Sequence, residues 1–264
     1  MKKLEGVWPF LLILLLVIMV LVGLRIDPVN RLAMWLVILG CLIGFAVISG
    51  RWVTGFWLGV LIDERNKITL SRLQLLLWTI LVLSGFLCAA LSNLQLATTD
   101  PLQALDIAIP SDLWLLMGIS VTSLVSSQIV KASKEGSKQV APAFDRQRTV
   151  GLLEDKGTVR SSLAFNGLMV VNNKPDQANL TDLFTGEEIG NAAQLDIGKL
   201  QMFFFTVVIV AAYGAALASA FQAAAASTQP FLEFPEMTSQ AVTLLGISHA
   251  GYIANKAAPH TPTT

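Results

Sequence analysis

Residues 71–79 read SRLQLLLWT and residues 198–206 read GKLQMFFFT, two near-copies, each heading a long apolar run. The copies align at a constant offset of 127 residues, from Ser71 to Gly198. Thr69 matches Asp196, and both residue types suit a helix N-cap, where a side-chain oxygen accepts from the open N–H groups of the first turn. Arg72 then matches Lys199, Gln74 matches Gln201, Trp78 matches Phe205 and Thr79 matches Thr206. Further on, LLMGIS at 115–120 is echoed by TLLGIS at 243–248, following Pro110 and Pro235. The repeated unit is therefore a helical hairpin.

Composition says where such hairpins reside. Hydrophobic residues make up 54% of the 264 and charged residues 14%, against roughly one quarter charged in soluble domains. A membrane-spanning helix needs about 20 mostly apolar residues. Five windows meet that need: Val7–Leu24, Leu32–Gly50, Leu73–Leu91, Leu113–Val130 and Leu200–Phe221. A sixth, Met237–Ala254, is more polar, and the repeat assigns it as a span because its relative Leu113–Val130 is one. The predicted fold is an all-α polytopic membrane protein of six transmembrane helices. Helices 3–4 and 5–6 form parallel repeats, and a small cytoplasmic insertion carries some β-strand. The units are 1–62, a two-helix membrane unit with an interfacial segment; 63–130, the first hairpin; 131–198, the insertion; 199–256, the second hairpin; and 257–264, a short disordered tail.

Lys and Arg concentrate on the cytoplasmic side of membrane proteins. Here they fall before the first span, after the second and after the fourth, whereas SNLQLATTDPLQALDIAIPSD and QAAAASTQPFLEFPEMTSQ contain none. Both termini are thus expected inside, with Arg25 and Arg31 as exceptions that snorkel from helix ends. VLVGLRID shows no small-x-small cleavage pattern, so the first span is read as retained. Trp52–Ile62 is too short to cross again and is expected as an interfacial helix. Brevity and the N-terminal lysines point to a bacterial inner membrane.

The spans hold little chemistry. Gln74 and Gln201 either bond to each other across helices or contribute amides to a pore. Ser120, Ser123 and Ser127, with Thr122, Ser126 and Gln128, either line a wet path or let helices approach closely. His249, beside Ser248 and Tyr252, either bonds across a helix contact or serves as a pH-sensitive gate. Cys41 and Cys88 read as small apolar side chains.

In the insertion, KASKEGSKQVAPAFDRQ reads as a helix exit followed by linker. TVRSSLAF and GLMVVNN have strand character, and NLTDLFTGEEIGN reads as a turn or short helix. Adjacent Glu187 and Glu188 read as ordinary loop solvation. No phosphate loop, dinucleotide motif or metal-spaced cluster is found, so no enzyme activity, cofactor or metal is expected, and near-balanced charge gives no nucleic-acid footprint. The densest charge cluster, LIDERNKITLSR, reads as a turn held by local salt bridges. Asp63 and Arg65, with Arg72 and Lys199 at the rim, are candidates for a cytoplasmic docking surface. The expected function is a membrane anchor or scaffold that contacts lipid, self-associates and docks a cytoplasmic or membrane protein. A channel or transporter with a Ser/Gln-lined path between the repeats is the alternative.

Overall fold

The computed structural model describes residues 6–96, 104–136, 143–155, 163–227 and 229–261. Its helices are α1 (Val7–Arg25), α2 (Arg31–Thr54), α3 (Leu70–Leu96), α4 (Ser111–Glu135), α5 (Ala143–Asp155), α6 (Ile197–Ser227) and α7 (Ser239–Ala257). One antiparallel hairpin, β1 (Leu163–Asn166) and β2 (Met169–Asn172), completes the regular structure. Five helices, α1–α4 and α6, are long and apolar enough to cross a membrane, which supports a multi-pass membrane protein. α7 matches α1 in length but is too polar to be counted with them.

Local chemistry sets the helix ends. Asp196 starts α6 as expected, its Oδ1 accepting from the Lys199 backbone N–H at 3.1 Å. Thr69 departs from its predicted role: its buried hydroxyl has no hydrogen-bond partner. The first turn of α3 is instead closed by the Leu73 N–H donating to the Thr69 carbonyl. The expected interfacial helix over Trp52–Ile62 is also replaced. α2 runs on to Thr54 and stops at Gly55, whose φ of 75° is the left-handed C-cap that glycine adopts most easily. The chain then doubles back on α2 so tightly that a Cβ on Gly50 would lie 2.4 Å from the Val60 nitrogen. Only a short 3-10 turn, Gly59–Leu61, remains helical there.

The helices alternate in direction, as their end contacts show. At one end Trp8 meets Trp57 with ring centroids 6.5 Å apart, and the start of α6 and the end of α7 share Glu187 through Lys199 and Lys256. At the other end Gln95 donates to the Ile26 carbonyl, and Asn93 brackets Phe231 by donating to its carbonyl and accepting from its N–H. There the 104–110 and 229–236 segments pair through Ala108, Leu232 and Phe234. The first end is hereafter the charged end. α3 packs on α4, α6 on α7 and α4 on α7, with α1 and α2 against the α3 side.

The bundle core forms where α2, α3 and α6 meet. Trp35 donates from Nε1 to Ser84 Oγ at 2.9 Å, and its ring lies 5.8 Å from Phe221. Leu217 and Phe234 press against Gly85, where a Cβ would be 2.8 Å from Leu217. α1 contributes little to this core, with only Met19 and Gly23 buried. Arg31 does not snorkel: it is fully buried and donates to the Gln229 carbonyl, because the 229–236 segment folds over the head of α2. Arg25 stays exposed.

The insertion has its own small core. Of the stretch KASKEGSKQVAPAFDRQ, where a helix exit and linker were expected, residues 137–142 lie outside the described residues; α5 takes up its last five residues, and Leu153 of that helix packs with Leu168, Val170, Ile189 and Ala192. The strands turn at Gly167, φ 57°, with Leu168 as the second turn residue; glycine first suits a two-residue hairpin. Only Leu163–Phe165 of the predicted TVRSSLAF strand falls among the described residues. Residues 258–261, expected as disordered tail, pack on the insertion. The His260 N–H donates to Glu188 and the Gly190 N–H to the Thr261 hydroxyl.

Candidate functional site: a buried ion network and a polar seam

The Asp63–Lys67 turn is the first half of the network. Asp63 Oδ1 accepts from the backbone N–H groups of Arg65 and Lys67, and Asn66 takes a φ of 55° to close the turn. This frees Asp63 Oδ2 to accept from Arg65 Nε and Nη2, at 3.0 and 2.9 Å, and from Lys131 Nζ at 2.9 Å. Lys131 also reaches Glu64 at 2.8 Å. The sequence reading of a turn tied by local salt bridges holds, but its burial was not anticipated: Asp63 is 4% exposed and Arg65 2%.

The second half comes from the insertion. Glu187 faces three cations from three different segments. Arg65 lies 3.3 Å and Lys199 3.1 Å from Oε1, and Lys256 lies 2.7 Å from Oε2. Lys256 further donates to Ser127 Oγ at 2.7 Å, while Lys199 donates to the Thr185 carbonyl at 2.7 Å. Glu188 pairs with Lys134, and Lys67 pairs with Asp182 at 3.0 Å. A reciprocal amide pair aligns the halves: Asn66 donates to the Asn172 carbonyl and Asn172 to the Asn66 carbonyl, each at 2.8 Å.

Pairing and hydrogen bonding offset the cost of burying these charges. Burial alone pushes the Asp63 and Glu187 carboxyls up, yet the opposing cations prevail. Arg65 and Lys131 hold Asp63 below its usual value, and Arg65, Lys199 and Lys256 hold Glu187 well below the ordinary carboxylate range. Burial would lower the pKa of Arg65, but Glu187 and Asp63 raise it instead. Asp63, Glu187 and Arg65 are thereby held in their charged forms at neutral pH.

Above the network lies a seam of polar side chains between α3, α4, α6 and α7. Gln74, 1% exposed, turns its side-chain amide onto Nε2 of His249, making His249 a cross-helix partner. Ser120 bonds back to the Leu116 carbonyl and Ser127 takes Lys256. Ser123, Thr206 and Ser248 are buried with hydroxyls that have no hydrogen-bond partner.

Gln201 does not join this seam. It is exposed on α6, so the amide of Gln74 pairs with His249 and not with its repeat equivalent. The copies are out of step in burial: Gln74 and Trp78 are buried on α3, whereas on α6 the buried positions are Met202 and Thr206, which match half-buried Leu75 and Thr79. That is a shift of one residue, about 100° around a helix. Arg72, also named at the rim, is half-buried and donates to the Ile62 carbonyl, apart from the carboxylates.

Sequence reasoning passed over Glu187 and Glu188 as solvated loop. The signal that would have found them is the row of lysines at helix ends, Lys131, Lys134, Lys199 and Lys256, which needs carboxylates near it. Comparison of the chain with protein-family models, with curated proteins and with solved structures gives no match.

Proposed function

We propose that this protein is a scaffold or anchor of the bacterial inner membrane, with its charged end in the cytoplasm and α7 crossing as a sixth span. The lysine-rich end fits the cytoplasmic side by the positive-inside rule, and α7 packs against both α4 and α6. One observation carries the reading: Glu187 ties the insertion to Arg65, Lys199 and Lys256, so the cytoplasmic segment is a fixed platform on the helix ends. A surface ordered in advance binds a partner with less loss of conformational freedom. Asp63 and Arg65, expected to meet that partner, are spent within the chain; among the described residues of the insertion, Leu152, Leu180, Leu195 and Ile197 are the large apolar side chains left exposed. The scaffold would self-associate through its lipid-facing helices and hold a second protein on this platform.

Purification from the host in mild detergent, with mass spectrometry of the intact assembly, tests this. The expected result is a stoichiometric second protein that is lost when Leu180 and Leu195 become Asp. An assembly of this chain alone, unchanged by those substitutions, overturns the reading.

A second reading, a conducting path, draws on the seam of Gln74, Ser123, Thr206, Ser248 and His249. Its test is ion or solute flux across liposomes holding the pure protein. Flux that falls when Gln74 becomes Leu would favour it, and no flux would remove it.

A further inference from the structure

The buried face of α7 carries a column of titratable groups. His249, Tyr252 and Lys256 stand three and four positions apart, the spacing of one helix face, and all three are buried. Lys256 ends the column at the charged end, 2.7 Å from Glu187, and donates to Ser127 Oγ at 2.7 Å and to the Tyr252 hydroxyl at 3.3 Å. His249 lies seven positions away from Lys256, about 10 Å along the helix, with its Nε2 held by Gln74 of α3. Ionisable side chains in series within a membrane are the material of proton relays.

Polar groups fill the interval between His249 and Lys256. Ser127 and Ser123 lie one turn apart on α4, and Ser248 precedes His249. Gln74 Oε1, Ser123 Oγ, Ser248 Oγ and His249 Nδ1 are sealed inside the bundle and have no hydrogen-bond partner. Only a molecule small enough to sit between the helices reaches such atoms. A buried water does so, making about three hydrogen bonds to otherwise unsatisfied groups. Room for a water is present at the foot of the column, in a cavity of about 10 Å³ walled in part by Lys131, Glu187, Tyr252 and Lys256. That is about the smallest volume a water occupies.

The opposite end of the column is apolar. One turn beyond Gln74 on α3 is Trp78, one turn beyond His249 on α7 is Leu245, and one turn beyond Ser120 on α4 is Leu116, each fully buried. Tyr213 of α6 lies past them beside Trp78, and its hydroxyl is spent on the Pro235 carbonyl. The charged groups that face the column, Lys131 of α4, Lys199 of α6, Arg65 ahead of α3 and Glu187 of the insertion, are all at the charged end. We propose that water held between α3, α4 and α7 links His249 Nδ1 to the ion network, giving this histidine hydrogen-bonded access to the charged side of the membrane alone. Such access needs neither a second protein nor a path through the bundle, so it goes beyond both readings above.

The test uses the full chain in liposomes, labelled with ¹⁵N at histidine and tryptophan. Water-edited solid-state NMR measures how fast magnetisation passes from water protons to each labelled nitrogen. Trp35 Nε1, spent on Ser84 in the apolar core, is the dry standard. Signals are assigned by their loss in His249→Phe and Trp35→Phe. His249 Nδ1 should build up several-fold faster than Trp35 Nε1. Ser127→Val, which puts methyl groups on the charged side of His249, should lower that rate to the Trp35 level. Where Ser127→Val does not fold, Ser123→Val replaces it. The proposal is overturned by a His249 Nδ1 rate no faster than that of Trp35 Nε1, or by a fast rate that the valine substitution leaves unchanged. Ion flux across the same liposomes reports on the conducting path separately, and its absence leaves this result standing.

Discussion

The charged end and the polar seam differ in what they bury: the first matches charge with charge, although Arg65 Nη1 and the Thr69 hydroxyl stay without hydrogen-bond partners, and the second buries uncharged groups. At the charged end Asp63 and Glu187 each face two or more cations, and the surplus donors of Lys199 and Lys256 find carbonyl or hydroxyl oxygens. In the seam Ser123, Thr206, Ser248 and one ring nitrogen of His249 are left without partners. The difference tracks what each region can tolerate. Stripping a buried charge of its partner costs about 3–5 kcal/mol, whereas an unpaired hydroxyl costs about 1–3 kcal/mol and can await a ligand or a neighbouring helix. The first region fixes architecture, and the second retains unused hydrogen-bonding capacity.

The contrast is sharpest at Glu187. Glu187→Leu removes the carboxylate shared by Arg65, Lys199 and Lys256 and leaves three buried cations facing one another. Removing one partner of a buried pair costs about 3–5 kcal/mol. The expected outcome is release of the insertion, read as rapid proteolytic cleavage between α4 and α6 in detergent-solubilised protein. Slow cleavage, equal to that of the parent protein, would mean that the hairpin and α5 hold the platform without the ions.

Acid should act on the same end, less abruptly. Both Asp63 and Glu187 have native pKa values depressed below those of the unfolded chain. The unfolded state therefore binds protons first as pH falls, and stability is lost in that direction. The contribution is fully present above about pH 5 and declines as pH drops through the usual carboxylate values near 4 toward the depressed native ones. Hydrogen exchange of the insertion's amides, corrected for the intrinsic rate at each pH and followed from about pH 8 to about pH 2, should show protection falling in that window. A loss centred near pH 6.5 would assign the transition to histidine and break the account.

The two regions also differ in how far the sequence discloses them. Apolar runs and charge asymmetry are local signals, and they place five spanning helices to within a few residues of the observed ends. LIDERNKITLSR discloses its turn because Asp63, Asn66 and Lys67 act over four or five residues. Glu187 stayed hidden because its partners lie 122, 12 and 69 positions away, at Arg65, Lys199 and Lys256, and no local pattern marks a contact at such distances. The doubled LQ motif discloses a helix entry but not the helix rotation. Which face of α6 turns inward is decided by packing against α3 and α7, and this separates Gln201 from Gln74.

That separation supplies the smallest expected effect. Gln74→Leu removes the partner of His249 and should destabilise the bundle by between about 0.6 and 1.7 kcal/mol, the mean and the maximum measured for hydrogen bonds between membrane helices. Gln201→Leu exchanges one exposed side chain for another at the lipid face and should change thermal stability in detergent by less than about 0.5 kcal/mol. A cycle combining Gln74→Leu with His249→Phe separates the shared bond from the packing of each side chain, since only the bond gives a non-additive remainder. If the two glutamines were equivalent, Gln201→Leu would match Gln74→Leu in size. The cycle with His249→Phe would then show the same coupling for both, and the one-residue rotation between α3 and α6 would be wrong.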